Sequence, residues 1–363
     1  MLQVNYIRSN AEQVKERLKH RNFQSLFLID EIIETDNKVR ILKVESESQQ
    51  AEINSLSKAI GMHVAKGETD KAEEKKNKVS ELKSESAKQK TELNNLEEEL
   101  IKKLLLLPNL PHESVPVGTS ANDNEIVRSG GVMPQLNEDA KPHWELIKDF
   151  KLIDFELGAK ITGSGFPVYT GKGAKLQRAL IQYFLDYNTE AGYIEYMPPI
   201  MVNENTAYGT GQLPDKEGQM YHVTIDNLYL IPTAEVPVTN IYSNEIVKPS
   251  ELPVKMTAYT PCFRREAGSF GSDVRGLNRL HQFDKVEIIQ LVEPSKSYEV
   301  LEEMVNHVER LLQYLELPYR ILRLCGGDMG FTSALTFDFE VYSAAQKKWL
   351  EVSSVSNFET FQT

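Results

Sequence analysis

Residues 263–287 read FRREAGSFGSDVRGLNRLHQFDKVE, two charged, strand-like runs on either side of a glycine-rich centre. Phe263-Arg264-Arg265-Glu266 closes the first run, Gly268 to Gly276 carries the turn, and His281-Gln282-Phe283-Asp284-Lys285-Val286-Glu287 returns on the second. This is the pattern of an antiparallel hairpin whose glycines let the loop close on a bulky ligand. Arg264 can fork onto a phosphate, and Glu266 can accept from an amino group or position a base. An isolated FRxE would be an ordinary surface ion pair. Ions held in order on both strands ask for a ligand.

The flanking sequence is of the same architecture. Strand-like runs at 193–202, 228–231, 255–264 and 283–292 are broken by Pro and Gly, and further strands are predicted at 319–324, 336–342 and 349–355. Helices are predicted over His143 to Leu157, Leu176 to Glu190 and Ser297 to Leu315. Strands cluster without regular strand–helix alternation, so the fold class is α+β, an antiparallel sheet flanked by helices. No GxxxxGK[ST] or GxGxxG joins a strand to a helix, which argues against a P-loop or dinucleotide-binding turn. Upstream, Leu104 to Leu107 run into Pro108, Pro111 and Pro116, and then a Gly/Asn/Asp-rich stretch from Gly118 to Gly131. A domain boundary near residue 110 follows, with domains at 1–110 and 111–363.

The first domain reads as helical. Ser9 and Glu12 have capping-box spacing ahead of Val14 and Leu18, so a short helix is predicted to start there. From about Ile29 the composition turns to Glu, Lys, Ser, Gln and Leu, with no proline until Pro108. Seam pairs Val39/Leu42, Ser46/Gln49 and Ile53/Leu56 repeat every seven residues, and Val79/Leu82, Ser86/Gln89 and Leu93/Leu96 repeat likewise. Folding the chain back between Gly61 and Asp70 sets apolar layer against apolar layer and polar against polar. The prediction is a long antiparallel coiled-coil hairpin, each helix of roughly 35 residues projecting on the order of 50 Å. Its lysines, such as Lys75, Lys76 and Lys78, suit a solvated spacer and a phosphate-binding arm equally.

The 363 residues carry 53 Asp plus Glu against 41 Lys plus Arg, a net charge of −12, so a polyanionic partner must be met by local basic patches. Cys262 and Cys325 are the two cysteines, which suits free thiols in a reducing compartment. No run is long and apolar enough to span a membrane and the start is unlike a signal peptide; a cytoplasmic protein without membrane attachment is expected.

The stretch 263–287 resembles motif 2 of class II aminoacyl-tRNA synthetases in its seryl form. Leu176 to Glu190 followed by GYIEYMPP (192–199) resembles motif 1, and YGTGQLP (208–214), LIPTAEVP (230–237), CGGDMGFTSALTFDFEVY (325–342) and EVSSVSNFE (351–359) are similar to further seryl blocks. The resemblance spans nearly the whole chain. It implies a serine–tRNA ligase that activates L-serine with ATP and loads it onto tRNA(Ser), in the family also tRNA(Sec), with the hairpin as the tRNA-binding arm and a homodimer through motif 1. It implies a serine site at Thr233, Ala234, Glu235 and Glu287, and ATP positions at Arg264, Arg265, Glu266, Glu351, Val352, Ser353 and Ser354. Arg264 and Glu266 would be catalytic, and Glu351 the Mg2+ ligand.

The family's third motif, which brings an arginine onto ATP, should follow NFETFQT, and the sequence stops at Thr363. A chain cut before motif 3, with impaired activity, is therefore expected. A non-charging protein that binds tRNA or an adenylate is the alternative; a bare coiled-coil scaffold would leave the charges of 263–287 unexplained.

Overall fold

The computed structural model describes residues 1–215, 218–266 and 275–362. The chain forms two compact units, Met1–Leu110 and a second beginning at Pro111. In the first, α1 (Val4–Ser9) and α2 (Ala11–His20) precede the long helices α3 (Phe27–Ala65) and α4 (Thr69–Leu104). Ser9 does not cap a helix. It is the last residue of α1, so Asn10 falls at the α2 N-cap, and the Asn10 side chain donates back to the Tyr6 carbonyl instead. Burial of Ile7 explains the extra helix ahead of the expected one.

Helices α3 and α4 run antiparallel about a tip in which Gly67 adopts φ +75°. Val39, Leu42, Ile53 and Val79 are buried along the seam. The Gln49 and Gln89 layer is polar, and the amide oxygens of both side chains are buried without a hydrogen-bond partner. Lys43–Glu97 (2.6 Å) and Lys78–Glu52 (2.7 Å) bridge the two helices. At the base of the hairpin Ile7, Val14 and Leu18 pack with Ile29, Ile32 and Leu107.

The second unit begins with β1 (Glu125–Gly130), α5 (His143–Asp149), β2 (Ile153–Asp154), α6 (Phe155–Ile161), β3 (Val168–Tyr169) and α7 (Gly171–Glu190). Then come β4 (Ile194–Tyr196), β5 (Met201–Asn203), α8 (Glu204–Gly209), β6 (Tyr221–Val223), β7 (Leu228–Leu230) and α9 (Glu235–Thr239). The chain continues through β8 (Val254–Phe263), β9 (Gln282–Leu291), α10 (Ser297–Tyr314), β10 (Tyr319–Arg323), β11 (Leu335–Ser343) and β12 (Lys348–Asn357). The expected helix over 143–157 is broken: Lys151 takes φ +51°, and Ile153-Asp154 pair with Val168-Tyr169 before α6 starts. The expected strand over 193–202 is split into β4 and β5 around Pro198-Pro199, which offer no N–H to a ladder.

Strands β1, β10, β11 and β12 form one antiparallel sheet in the order β1-β10-β11-β12. Strand β8 pairs antiparallel with β9 from Val254–Leu291 to Phe263–Gln282, and β4 joins β8 in parallel. Helix α10 covers the first sheet with Leu301, Val305 and Leu312 against Ile321, Phe337 and Phe339. Helix α7 lies against β9, where Gln177 donates to Asp284 (2.7 Å). Because successive strand residues point to opposite faces, Lys285 and Glu287 project away from α7. Of the glycine-rich loop expected from Gly268 to Gly276, residues 268–274 lie outside the described residues.

Candidate active site

The end of β7 and the start of α9 bring Pro232 to Glu235 alongside β9. The Thr233 hydroxyl donates to Glu287 Oε2 (2.7 Å) and accepts from Lys285 Nζ (3.0 Å) and from the Glu235 backbone N–H (3.2 Å). Lys285 Nζ also lies 2.7 Å from Glu287 Oε2. Gln362 donates to Glu235 Oε1 at 2.8 Å. Burial, and then the Glu287 charge, push the Glu235 carboxyl up, while Gln362, Lys285 and Arg264 oppose. Burial alone would lower Lys285; Glu287 and Glu235 outweigh it and raise the ammonium.

At the end of β8, the Arg264 backbone N–H donates to the His281 carbonyl (3.0 Å) and its Nε to the Pro232 carbonyl (3.4 Å). The guanidinium lies 5.0 Å from the centre of the Phe283 ring. Glu266 accepts from Arg279 Nη1 (3.0 Å) and holds φ +49°, an uncommon conformation for a side-chain-bearing residue. A bulge in β12 sets Ser353 opposite Phe339 and Glu351 opposite Glu340, leaving Val352 as the extra residue. The Glu351 side chain reaches the surface, yet the surrounding protein desolvates it enough to raise its carboxyl; Arg264 and Arg279 oppose that rise. Asp338, paired with Ser354 across the ladder, is raised to about 7 by burial and then by Glu351. Its Oδ1 is buried without a hydrogen-bond partner.

A cavity of about 1790 Å³ collects these groups: Thr233, Glu235, Arg264, Glu266, Lys285 and Glu287 line it, as do Val352, Ser353 and Ser354. Its apolar remainder is lined from β9 and β12, the end strands of their respective sheets, and from α10. Three expected site residues, Ala234, Arg265 and Glu351, are not among those that line it. Ala234 is fully buried in a core cluster with Val238 and Met256, and Arg265 turns toward Tyr221, its guanidinium 5.7 Å from that ring. Sequence reasoning did not single out Lys285, Arg279, Phe283 or Gln362. The first three stand within the stretch 263–287, where alternation with Glu287 was a usable signal for Lys285. Nothing local marks Gln362.

For a hard cation, Glu351, the Ser354 hydroxyl and the orphaned Asp338 oxygen are a chemically suitable oxygen set. Among the described residues no cluster of three or more His, Cys, Asp or Glu side chains is arranged to hold a metal alone. Magnesium fits such a partial set, because it keeps waters and takes phosphate oxygens as its other ligands. No described helix is long and apolar enough to cross a membrane.

Residues 1–111 match the family described as seryl-tRNA synthetase N-terminal domain, and residues 221–363 match the tRNA synthetase class II core domain (G, H, P, S and T). A serine–tRNA ligase of Salinibacter ruber is 50% identical over the whole of this chain and 85% of its own length. One from Geobacter sulfurreducens is 46% identical with the same coverage. The crystal structure of seryl-tRNA synthetase from Pyrococcus horikoshii complexed with ATP superposes with a TM-score of 0.91 at 34% identity, covering all of this chain and 85% of that one. With identity of this degree running through both units, the chain belongs to the serine–tRNA ligases, the seryl-tRNA synthetases of class II.

Proposed function

We propose that the cavity binds L-serine against Glu235, Glu287 and Thr233 and ATP across Arg264, Glu266 and the β12 segment 351–354. One observation carries this reading: Arg264 lines one cavity together with Thr233, Glu235 and Glu287 and with Val352, Ser353 and Ser354, and its Nε donates to the Pro232 carbonyl next to Thr233 (3.4 Å). The ATP bound by the Pyrococcus horikoshii relative supports a nucleotide on the same fold. The ammonium of serine would be matched by the buried carboxylates. The serine carboxylate attacks the α-phosphorus, the bond to pyrophosphate breaks, and the seryl-adenylate forms. A terminal ribose hydroxyl of tRNA then attacks the anhydride carbonyl and AMP leaves. Arg264 contributes positioning and neutralises charge on the phosphoryl oxygens. Magnesium, held through Glu351 with the Ser354 hydroxyl and Asp338 beside it, would supply further charge neutralisation at the phosphates.

The hairpin of α3 and α4 is read as the arm that meets tRNA(Ser). Lys75 and Lys76 are its suited cations, and Lys78 already pairs with Glu52. A homodimer through residues 176–202 is supported by the apolar side chains left bare there, Met197 at 90% exposure and Ile194 at 61% among them.

The test is binding. A non-hydrolysable seryl-adenylate analogue should raise Tm, whereas the alanyl and threonyl analogues should not. Equal shifts for all three would sink the assignment of serine.

A further inference from the structure

Outside the cavity, one histidine joins three segments distant in sequence. His143, the first residue of α5, accepts a hydrogen bond at Nε2 from the Leu277 backbone N–H (2.9 Å). Its ring lies against Gly276, where an added Cβ would come within 2.2 Å of Nε2. Gly276 also holds φ +69°, so this position excludes a side chain on two grounds. The other hydrogen-bond partner that bears on the imidazole is the Gln346 side chain, in the turn between β11 and β12, which itself accepts from Ser343 Oγ (3.0 Å). Trp144 packs edge-on to the ring at 5.1 Å. Two residues beyond Leu277 stands Arg279, the partner of Glu266.

We propose that His143 is a positioning residue for the nucleotide: by accepting the Leu277 N–H it latches residues 276–279 to α5 and to the β11–β12 turn, and so sets Arg279 and Glu266 for the triphosphate. This rests on the reading of Arg264 and Glu266 as ATP-binding groups. The latch needs a lone pair on Nε2, hence a neutral ring with its proton on Nδ1. A protonated ring would turn an N–H toward the Leu277 N–H, donor against donor, and the latch would open. Burial lowers His143 from its ordinary 6.5, with the Gln346 hydrogen bond opposing. The charged residues on the segments concerned are Arg275 and Arg279 on the returning chain, Lys347 in the turn with Lys348 at the start of β12, Lys141 before α5, and Glu145, Lys148 and Asp149 within it. None of them is among the causes of the shift. The latch is therefore closed through the ordinary imidazole range and opens only at more acid pH, where the lowered His143 takes a proton.

Calorimetric titration of the chain with ATP and, separately, with serine tests this. His143→Ala should weaken ATP binding about tenfold, the equivalent of one hydrogen bond, and leave serine affinity within about twofold. His143→Gln, whose amide oxygen can accept from Leu277, should restore ATP affinity to within about threefold of the parent. Between about pH 5.5 and about pH 8 the parent should lose ATP affinity on the acid side, and the Gln variant should lose less, keeping only the part that comes from Asp338. Unchanged ATP binding in His143→Ala, equal losses for both ligands, or an acid decline as large in His143→Gln as in the parent each overturns the proposal. Arg264→Ala separates the two readings. If it abolishes ATP binding, the nucleotide site stands whatever His143 does; if it has no effect, the site assignment itself fails.

Discussion

Glu235 and Glu287 meet at one end of the cavity, where Lys285, Thr233 and Gln362 take up their oxygens. Two carboxylates this close are tolerable in a buried place only when cations and donors match them. Lys285 and Arg264 do so, and the four charges sum to zero, which suits a zwitterionic amino acid that brings no net charge. Removing one carboxylate leaves a bound ammonium short of a partner and Lys285 without its counter-ion. Glu287→Ala should therefore weaken serine binding by about 2–4 kcal/mol and ATP binding by much less. Titration calorimetry with each ligand checks this, and equal losses would point to a folding defect instead.

At the scale of elements, hydrogen bonds tie α10 to the site through α7. His307 Nε2 donates to Asn188 Oδ1 (2.8 Å), Asn188 Nδ2 donates to Thr257 Oγ1 (2.9 Å), and Thr257 donates to the Glu287 carbonyl (2.8 Å). Burial, then Arg310 and Lys255, lower His307 to about 4. The folded state resists protonating this ring while the unfolded chain accepts a proton near 6.5. The stability it contributes is complete above pH 6.5 and is lost as pH falls toward 4. Calorimetric Tm should drop across that window, and His307→Gln, which keeps a donor without titrating, should shrink the drop. In the first unit, the arm's seam stays closed through Ile53 and Val79. Deleting residues 54–81 should shorten it without touching the core around Ile7 and Leu107, and should abolish salt-dependent binding of tRNA(Ser) in a filter assay. Undiminished binding would remove the arm from the tRNA site.

For the molecule as a whole, bare apolar side chains at Leu176, Ile194, Met197 and Met201 are costly in water unless something covers them. A second copy of the chain placed on 176–202 would bury them about a two-fold axis. Sedimentation equilibrium at micromolar concentration should give twice the mass of 41.3 kDa. A monomer at that concentration would count against the interface.

The sequence by itself determined the elements whose signal is local. The heptad seams of α3 and α4, the long strands β8 and β9, and the class of the sheet follow from side-chain period, which acts over a few residues. Where local signals competed, it misled: Ser9 offered a cap already taken up by α1, and the periodicity of 143–157 gave no sign that Ile153-Asp154 would pair with β3. Only the tertiary structure decided which charges meet. Lys285 finds Thr233 across 52 residues and Gln362 finds Glu235 across 127, while Arg264 and Arg265, adjacent in sequence, part company at the end of β8. The reason is physical: periodicity is a property of neighbouring residues, whereas matching a buried charge depends on which distant segments packing brings within a hydrogen bond's length.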